Sequence, residues 1–460
     1  VVDYDPLFRP KTMAVIGVSL SNDRHPANVV FTKNRFRYPV TVYPVNPRGG
    51  ILQGEPVFRS VSEINETIDV AVIAVRAEIV PKVIQECIET GVRSAIVVSG
   101  GFAEMGQKDL QDRVTAAARE ANFPFLGPNC LGIFAPGRVD TLFLPSERLV
   151  CPSPGGVALV SQSGGFLVDQ MLKFSEEGIG MSLGISIGNK AIIRENELLA
   201  YLSGDPDTRV IAFYIEGFAD GDGRRFALAA RECPKAVLAL KAGRSMAGAH
   251  AVSSHTASLA GDYEVFASVL TQCGVTVAEN ELEFVSRCES LGAYSVKTEG
   301  KIGIVTGSGG HGALAVDACA EAGLSVPALS DTLREELRNG LSASVQPIAS
   351  VANPVDLTGS AVDDDFVKAT EFLTEVSGID CVLVLLLPYL PGISSDLGAR
   401  LSTVCRRKGR PLVAYVPHVE KFRMFVEGFE LNGVPVAPSI DGAVQMARAI
   451  APAYCRAFPR

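Results

Sequence analysis

No stretch of the 460-residue chain runs to eighteen apolar residues, so no helix of it is expected to cross a membrane. Nor does the given start, Val1, carry the charged-then-apolar pattern of a secretory leader, although a trimmed start stays open. There is no C-x-x-C pair. The ten cysteines are scattered, most of them inside apolar patterns, which suits free thiols in a reducing cytoplasm better than disulfides or a metal cage. Basic runs are absent too, and the net charge of −9 argues against nucleic acid or an anionic membrane as a partner. What is there is the composition of a soluble α/β enzyme. Hydrophobic residues make up 47%, with 44 glycines and 27 prolines, and the length points to about three domains.

Apolar segments alternate with amphipathic ones from end to end. MAVIGV (13–18), VTVYPV (40–45), IDVAVIAV (68–75) and SAIVVS (94–99) read as strands, and EIVPKVIQECIETG between them has the helical period. Strands apolar on both faces and alternating with helices predict parallel, doubly wound sheets. The pattern restarts at VALVSQSGGFLVDQML and again at KIGIVTGSGGHGALAVDAC. These restarts set domain boundaries near 148 and 297, hence domains at 1–148, 149–297 and 298–460. The restarts also resemble each other, GGVALVSQSGGFLVDQ (155–170) beside GKIGIVTGSGGHGALA (300–315). Internal duplication and two instances of one common architecture are both open.

A G-x-G-x-x-G fingerprint is missing as well. Strand one is followed by Gly17 and Ser19, and strand two ends in VYPVNPRGG, where a dehydrogenase usually carries a carboxylate for the ribose hydroxyls. Asn46, Pro47 and Arg48 stand there instead. A cation at that place suits a ribose bearing a phosphate, as in NADP or coenzyme A; an ordinary turn is the plainer alternative. Later strand ends at Val75, at Ser99-Gly100-Gly101 and at Asn129-Cys130 are small or glycine-rich. Open parallel sheets bind ligands at these carboxyl ends, so an adenine-nucleotide ligand is expected.

Two Ser-Gly-Gly turns open predicted helices: SQSGG, with Ser161, Ser163, Gly164 and Gly165, and GSGGHG, with Ser308, Gly309 and Gly310. A helix N-terminus presents free N–H groups and about half a unit of positive charge. Glycine lets an anion approach them, which makes both turns candidate phosphate cradles. A merely tight strand–helix turn is the competing reading.

Only five histidines exist, and His255 lies in AVSSHTASLAG, read as a polar loop of small residues. A neutral imidazole, with an ordinary pKa of about 6.5, is a usable nucleophile. Phosphoryl transfer to its nitrogen needs room and donors, which Ala251, Ala257 and Gly261 and the hydroxyls of Ser253, Ser254, Thr256 and Ser258 would supply. Its partner carboxylate is sought at Glu216, where the strand VIAFYIEG ends. An incidental histidine on a surface loop, and a solvated strand end, are the bland counterparts. His311, inside the second glycine turn, is a phosphate contact at most.

These landmarks together resemble the α subunit, or α-equivalent part, of the NDP-forming acyl-CoA synthetases, relatives of succinyl-CoA synthetase. The resemblance runs from LFRPKTMAVIGVS through VYPVNP, VVSGGF, LGPNCLGI, SQSGG, SIGNKA, IEG and SSHTASLAG to NPVDLTGSA, over nearly the full length. It implies an α/β chain with an N-terminal Rossmann-like CoA-binding domain followed by two flavodoxin-like parallel-sheet domains. It also implies a phosphohistidine at His255, a partner at Glu216, and coenzyme A as substrate. The implied reaction is acyl-CoA + ADP + phosphate ⇌ acid + CoA + ATP through an acyl phosphate. ADP/ATP and Mg2+ would be held mainly by an ATP-grasp β subunit or fused domain absent from these residues, in an α2β2-type assembly.

Departures from the family pattern are Ala257 after His-Thr, His311, and Ile192-Ile193 where an aspartate often follows Asn-Lys-Ala. If Gly188 and Asn189 border the acyl group, those isoleucines suggest a more apolar acid than acetate. The alternatives are a non-catalytic CoA-binding regulatory module and an NADP oxidoreductase.

Overall fold

The computed structural model describes residues 2–255, 261–294 and 298–451, the side chains of residues 253–255 excepted. Three main sheets carry the chain. The first is wholly parallel, in the spatial order Thr41–Val45, Thr12–Ile16, Val70–Ile73, Ser94–Val97, Phe125–Leu126. Its inner strands are buried on both faces because helices cover both. Helix Val80–Glu89, for example, turns Val80, Val83, Ile84 and Cys87 inward at helical spacing.

Around the strand Pro154–Ser161 forms a seven-stranded sheet in the order Thr276–Ala278, Ala236–Lys241, Val210–Ile215, Pro154–Ser161, Met181–Ser186, Ile133–Ala135, Val139–Asp140. The last two strands run antiparallel to their neighbours. A six-stranded sheet follows: Ser350–Val351, Val355–Asp356, Ile302–Thr306, Cys381–Leu385, Leu412–Tyr415, Val436–Ala437. Its edge pair Ser350–Val351/Val355–Asp356 is antiparallel and the rest is parallel.

Counted in chain order, the parallel strands of each sheet share the succession 2-1-3-4. Residues 155–170 and residues 300–315, which resemble each other, each hold the first of those parallel strands and the start of the helix after it. In every sheet the chain reverses direction between the first and third strands, and the crevice at their carboxyl ends is the place where such sheets hold ligands.

The chain divides into two compact units, Val1–Val277 and Ala278–Arg460, where the sequence placed boundaries near 148 and 297. Two packing facts account for the difference. The strands Ile133–Ala135 and Val139–Asp140, assigned above to the first domain, complete the second sheet, and one continuous core runs from Leu7 to Val275 through both sheets. At the other boundary, helix Glu281–Ala293 packs on helix Ile440–Ala449, with Ser290 Oγ donating to the Met446 carbonyl at 2.7 Å. That helix therefore belongs to the later unit. No helix among the described residues is long and apolar enough to cross a membrane. The cysteines among the described residues are free thiols.

Candidate functional site

At the reversal point of the first sheet, Gly17 follows one strand with φ +101°. A Cβ there would lie 2.4 Å from the Ala74 carbonyl oxygen and 2.9 Å from Val75 Cγ1. Only glycine lets the two strand ends close up. Ser19 is fixed by Asn28, which accepts its N–H at 2.6 Å and donates to its carbonyl at 2.8 Å. Asn46 donates to the Val18 carbonyl at 2.6 Å and accepts the Arg48 N–H at 2.9 Å, with Pro47 and Arg48 exposed beside it. The Ser99 hydroxyl accepts the Val75 N–H at 3.2 Å and donates to the Val75 carbonyl at 2.5 Å, and Asn129 N–H donates to the Ser99 carbonyl at 2.9 Å. Gly17, Ser19, Asn46, Val75, Ser99 and Asn129 thus line one sheet edge, with Pro47, Arg48, Gly100 and Gly101 on adjoining turns. Cys130 differs: its thiol is buried, donates to the Val97 carbonyl at 3.4 Å, and is pushed by burial up to about 12.

The reversal point of the second sheet gathers the first Ser-Gly-Gly turn and Glu216. Ser161 is buried and donates to the Ser163 carbonyl at 2.6 Å. Ser163 caps helix Gly164–Glu176 by accepting the Phe166 N–H at 3.2 Å. A Cβ on Gly164 would meet Leu131 Cγ at 2.6 Å, whereas the first neighbour of one on exposed Gly165 is Ser163 Oγ at 3.9 Å. Open space therefore lies over the positive end of this helix. Glu216 follows strand Val210–Ile215, the neighbour of the strand that ends at Ser161.

Beneath Glu216 lies a buried polar network. Gln162 Oε1 accepts the N–H groups of Glu216 and, at 3.1 Å, Gly217. Its Nε2 donates to the Gly217 carbonyl at 2.9 Å and to Glu195 Oε1 at 2.7 Å. Lys190 donates to the same carbonyl and pairs with Glu195 at 2.6 Å, both side chains being buried. Lys241 Nζ donates to the Glu216 carbonyl at 2.9 Å; burial lowers its pKa, opposed by the charge of Glu216. Burial, and then Glu216, raise the neighbouring Tyr214 hydroxyl to about 12.

Between these two edges sits Gly188-Asn189. Gly188 has φ +53°, and a Cβ there would strike the Asn129 and Pro128 carbonyl oxygens at 2.3 and 2.4 Å. Asn189 N–H donates to the Pro128 carbonyl at 2.9 Å. The carboxylate of Glu104 accepts from Gly101 N–H at 2.6 Å, from Phe102 N–H at 3.1 Å and from the Asn189 amide. Burial alone would raise the Glu104 carboxyl, but Asn189 and those N–H groups hold it below the usual range. Ile193 is fully buried in the core and Ile192 only partly exposed, so the apolar-acid expectation loses Ile193 as a lining residue.

In the later unit, helix Gly309–Glu321 opens with the second Ser-Gly-Gly turn. Ser308 makes no capping bond there; its hydroxyl meets His311 Nδ1 at 3.1 Å instead. A Cβ on Gly309 would lie 3.1 Å from Asp356 Oδ2, while Gly310 is open.

The segment expected to be a loop is helical from Met246 to His255. Alanines at 247, 249 and 251 favour helix strongly enough to carry it through the small-residue stretch. The His255 side chain and residues 256–260 lie outside the described residues. Arg244 stacks over the Tyr263 ring at 4.7 Å. Among the described residues no group of three or more His, Cys, Asp or Glu side chains is arranged to hold a metal ion.

Family models match in the order of the three sheets. A CoA binding domain covers residues 11–136, a succinyl-CoA ligase like flavodoxin domain residues 154–291, and a ligase-CoA domain residues 302–383. The chain is 33% identical over 461 residues to the α subunit of ADP-forming acetate–CoA ligase I of Pyrococcus furiosus, across 98% of this chain and 97% of that one. It belongs to the NDP-forming acyl-CoA synthetase family.

Within the family, ADP-forming acetate–CoA ligase I of Archaeoglobus fulgidus is 36% identical over 386 residues, which are 83% of this chain and 54% of that protein. The chain thus spans about half the length of that relative. Among solved structures, the dinucleotide forming acetyl-coenzyme A synthetase 1 of Ca. Korarchaeum cryptofilum in complex with phosphate and ADP aligns with a TM-score of 0.90 at 28% identity, over 98% of this chain and 96% of that one. The α/β class holds, with a Rossmann-like first domain followed by flavodoxin-like sheets. An α-type chain of this family carries more than sequence patterns singled out. Glu104 lies two residues beyond VVSGGF and Gln162 within SQSGG, yet neither carries a signal of its own in the sequence. Lys190, in SIGNKA, and Glu195 were missed too. Their spacing is unremarkable, and only the fold brings Gln162, Lys190 and Glu195 under one strand end and Glu104 against Asn189.

Proposed function

We propose that the chain is the α part of an ADP-forming acyl-CoA synthetase, interconverting acyl-CoA, ADP and phosphate with carboxylic acid, CoA and ATP. One observation carries the reading. Hydrogen bonds join the edge at Ser99 and Asn129 to Asn189, and its sequence neighbour Lys190 carries the connection on to the Gly217 carbonyl and the Ser-Gly-Gly turn around Gln162. A thioester held at the first edge would be presented to a phosphate at the second.

Coenzyme A is assigned to Gly17, Ser19, Asn46, Pro47, Arg48, Val75, Ser99, Gly100, Gly101, Asn129 and Cys130, the last through its backbone. Ser161, Ser163, Gly164 and Gly165 would cradle phosphate, since the open N-terminus favours an anion; Ser308, Gly309 and Gly310 take the same role in the other unit. Phosphate oxygen attacks the thioester carbonyl, the C–S bond breaks, and CoA leaves as a thiol carrying the proton. The acyl phosphate then gives its phosphoryl group to the neutral imidazole of His255 and the carboxylate is released. Glu216 would accept the second ring N–H and stabilise the cationic adduct. The adduct passes the phosphoryl group to ADP, which, with Mg2+, is assigned to an ATP-grasp β subunit or fused domain. The domains of this reading are 1–148, 149–297 and 298–460, and a cytoplasmic location fits it.

The test is to mix the chain with an ATP-grasp partner and labelled ATP. An acid-labile, alkali-stable phosphate that disappears in His255→Ala is the expected result. A wild-type chain that takes up no label, or that binds NADPH but not CoA in calorimetric titrations, overturns the reading.

A further inference from the structure

We infer that Glu104 is a positioning residue for acyl transfer, a strut that sets the distance between the thiol end of coenzyme A and the acyl group. The inference rests on the proposed function, in which Gly100-Gly101 belong to the coenzyme edge, and it takes Gly188-Asn189 as the acyl edge, the place expected for them from the sequence. The Glu104 side chain touches both. One carboxylate oxygen takes the Gly101 N–H at 2.6 Å and the Phe102 N–H at 3.1 Å, and the other takes the Asn189 amide. Asn189 in turn donates to Gln111 Oε1 at 2.9 Å and accepts from Asn129 Nδ2 at 3.3 Å.

Both N–H bonds of the Asn189 amide are therefore spent on Glu104 and Gln111. That side chain braces the two sheets and is not free to bind the acid, whose contact at this place falls to the backbone of residues 188–189. An ionised carboxylate only accepts hydrogen bonds, and Glu104 has a donor on each side. A residue of this kind is silent in phosphoryl transfer to His255, since the proposed partner Glu216 and the Ser-Gly-Gly turn of residues 161–165 stand apart from the Glu104–Asn189 contact. Its effect belongs to the step in which the CoA sulfur attacks the acyl phosphate. There the C–S bond forms, the C–O bond breaks, and inorganic phosphate leaves with the thiol proton.

Glu104→Gln separates the two halves of the strut. Its remaining carbonyl oxygen still serves Gly101 and Phe102, but its NH2 group faces the NH2 group of Asn189. In the complex with the ATP-grasp partner, phosphoenzyme formation from labelled ATP is expected to stay within about twofold of wild type. Thioester formation in a single turnover with acid and CoA is expected to fall about 10- to 100-fold, the cost of misplacing reacting groups by about an ångström. Glu104→Gln with Asn189→Asp restores a donor–acceptor pair and should recover about tenfold. A Glu104→Gln enzyme with a wild-type thioester step, equal loss of both steps, or no recovery in the double variant overturns the inference. Absence of phosphoenzyme in the wild type overturns the functional reading itself, and is a separate outcome.

Discussion

Gln162 holds Glu216 from behind: its side-chain oxygen accepts the Glu216 and Gly217 N–H groups, and its amide donates back to the Gly217 carbonyl at 2.9 Å. The second residue of the anion turn thereby fixes the peptide that carries the proposed partner of the phosphohistidine. Gln162→Ala strips buried backbone groups of their partners, at about 1–3 kcal/mol each, and lets that carboxylate drift. Phosphoenzyme formation should drop about 10- to 100-fold while CoA affinity stays within about twofold. Labelled ATP and calorimetry measure the two, and unchanged labelling would remove Gln162 from the machinery.

Gly17→Ala is expected to abolish CoA binding. The new methyl group would sit 2.4 Å from a carbonyl oxygen in a backbone at φ +101°, a strain of about 1–3 kcal/mol before the clash is counted. Calorimetric titration should show no heat with CoA, and the melting temperature should fall. Wild-type affinity would mean that this strand end lies away from the ligand.

Lys33 and Asp140 form a buried ion pair at 2.7 Å that docks helix Pro26–Arg37 onto the antiparallel edge of the second sheet. Burial raises the Asp140 carboxyl, and Lys33 opposes it. Lys33→Met leaves that carboxylate without its cation, a loss of about 3–5 kcal/mol. Lys33→Met with Asp140→Asn should regain most of it, because Asn can still accept the Leu142 N–H that Asp140 takes at 3.0 Å. Urea denaturation of the two variants decides; equal stability would mean that the lone charge finds water.

His25 caps helix Pro26–Arg37 by accepting the Ala27 N–H on Nδ1 at 3.3 Å. Burial lowers its pKa below 6.5. The folded state therefore binds its proton less readily than the unfolded chain. The cap's contribution is complete above about pH 6.5 and fades as pH falls through the lowered value. His25→Asn keeps a capping oxygen that does not titrate. Melting temperatures at pH 7.5 and 5.5 should differ less for this variant than for wild type, and identical differences would exclude the cap as the source.

Local signals carried the strands, the glycine turns and the order of the landmarks, because those features depend on side chains a few positions apart. MAVIGV became Thr12–Ile16 and EIVPKVIQECIETG became Val80–Glu89, each within about two residues of expectation. The small-residue stretch before His255 was misread as a loop, since smallness signals open space and alanine signals helix, and only the second preference acts on the backbone. The boundary near 148 rests on where the strand pattern restarts, and that restart carries no information on strand pairing. Residues 133–140 look like the tail of one domain and hydrogen-bond into the next.

The sequence alone determined that strands and helices alternate through successive, mainly parallel sheets and that small residues stand at their ligand-binding ends, since burial periodicity and glycine placement are written along the chain. Which side chains stand behind those ends was decided only by tertiary structure. Glu104 meets Asn189, and Gln162 and Lys190 meet Gly217, across separations of 85, 55 and 27 positions. Hydrogen bonds act over about 3 Å of space, and distance along the chain gives no sign of which polar groups folding will bring that close.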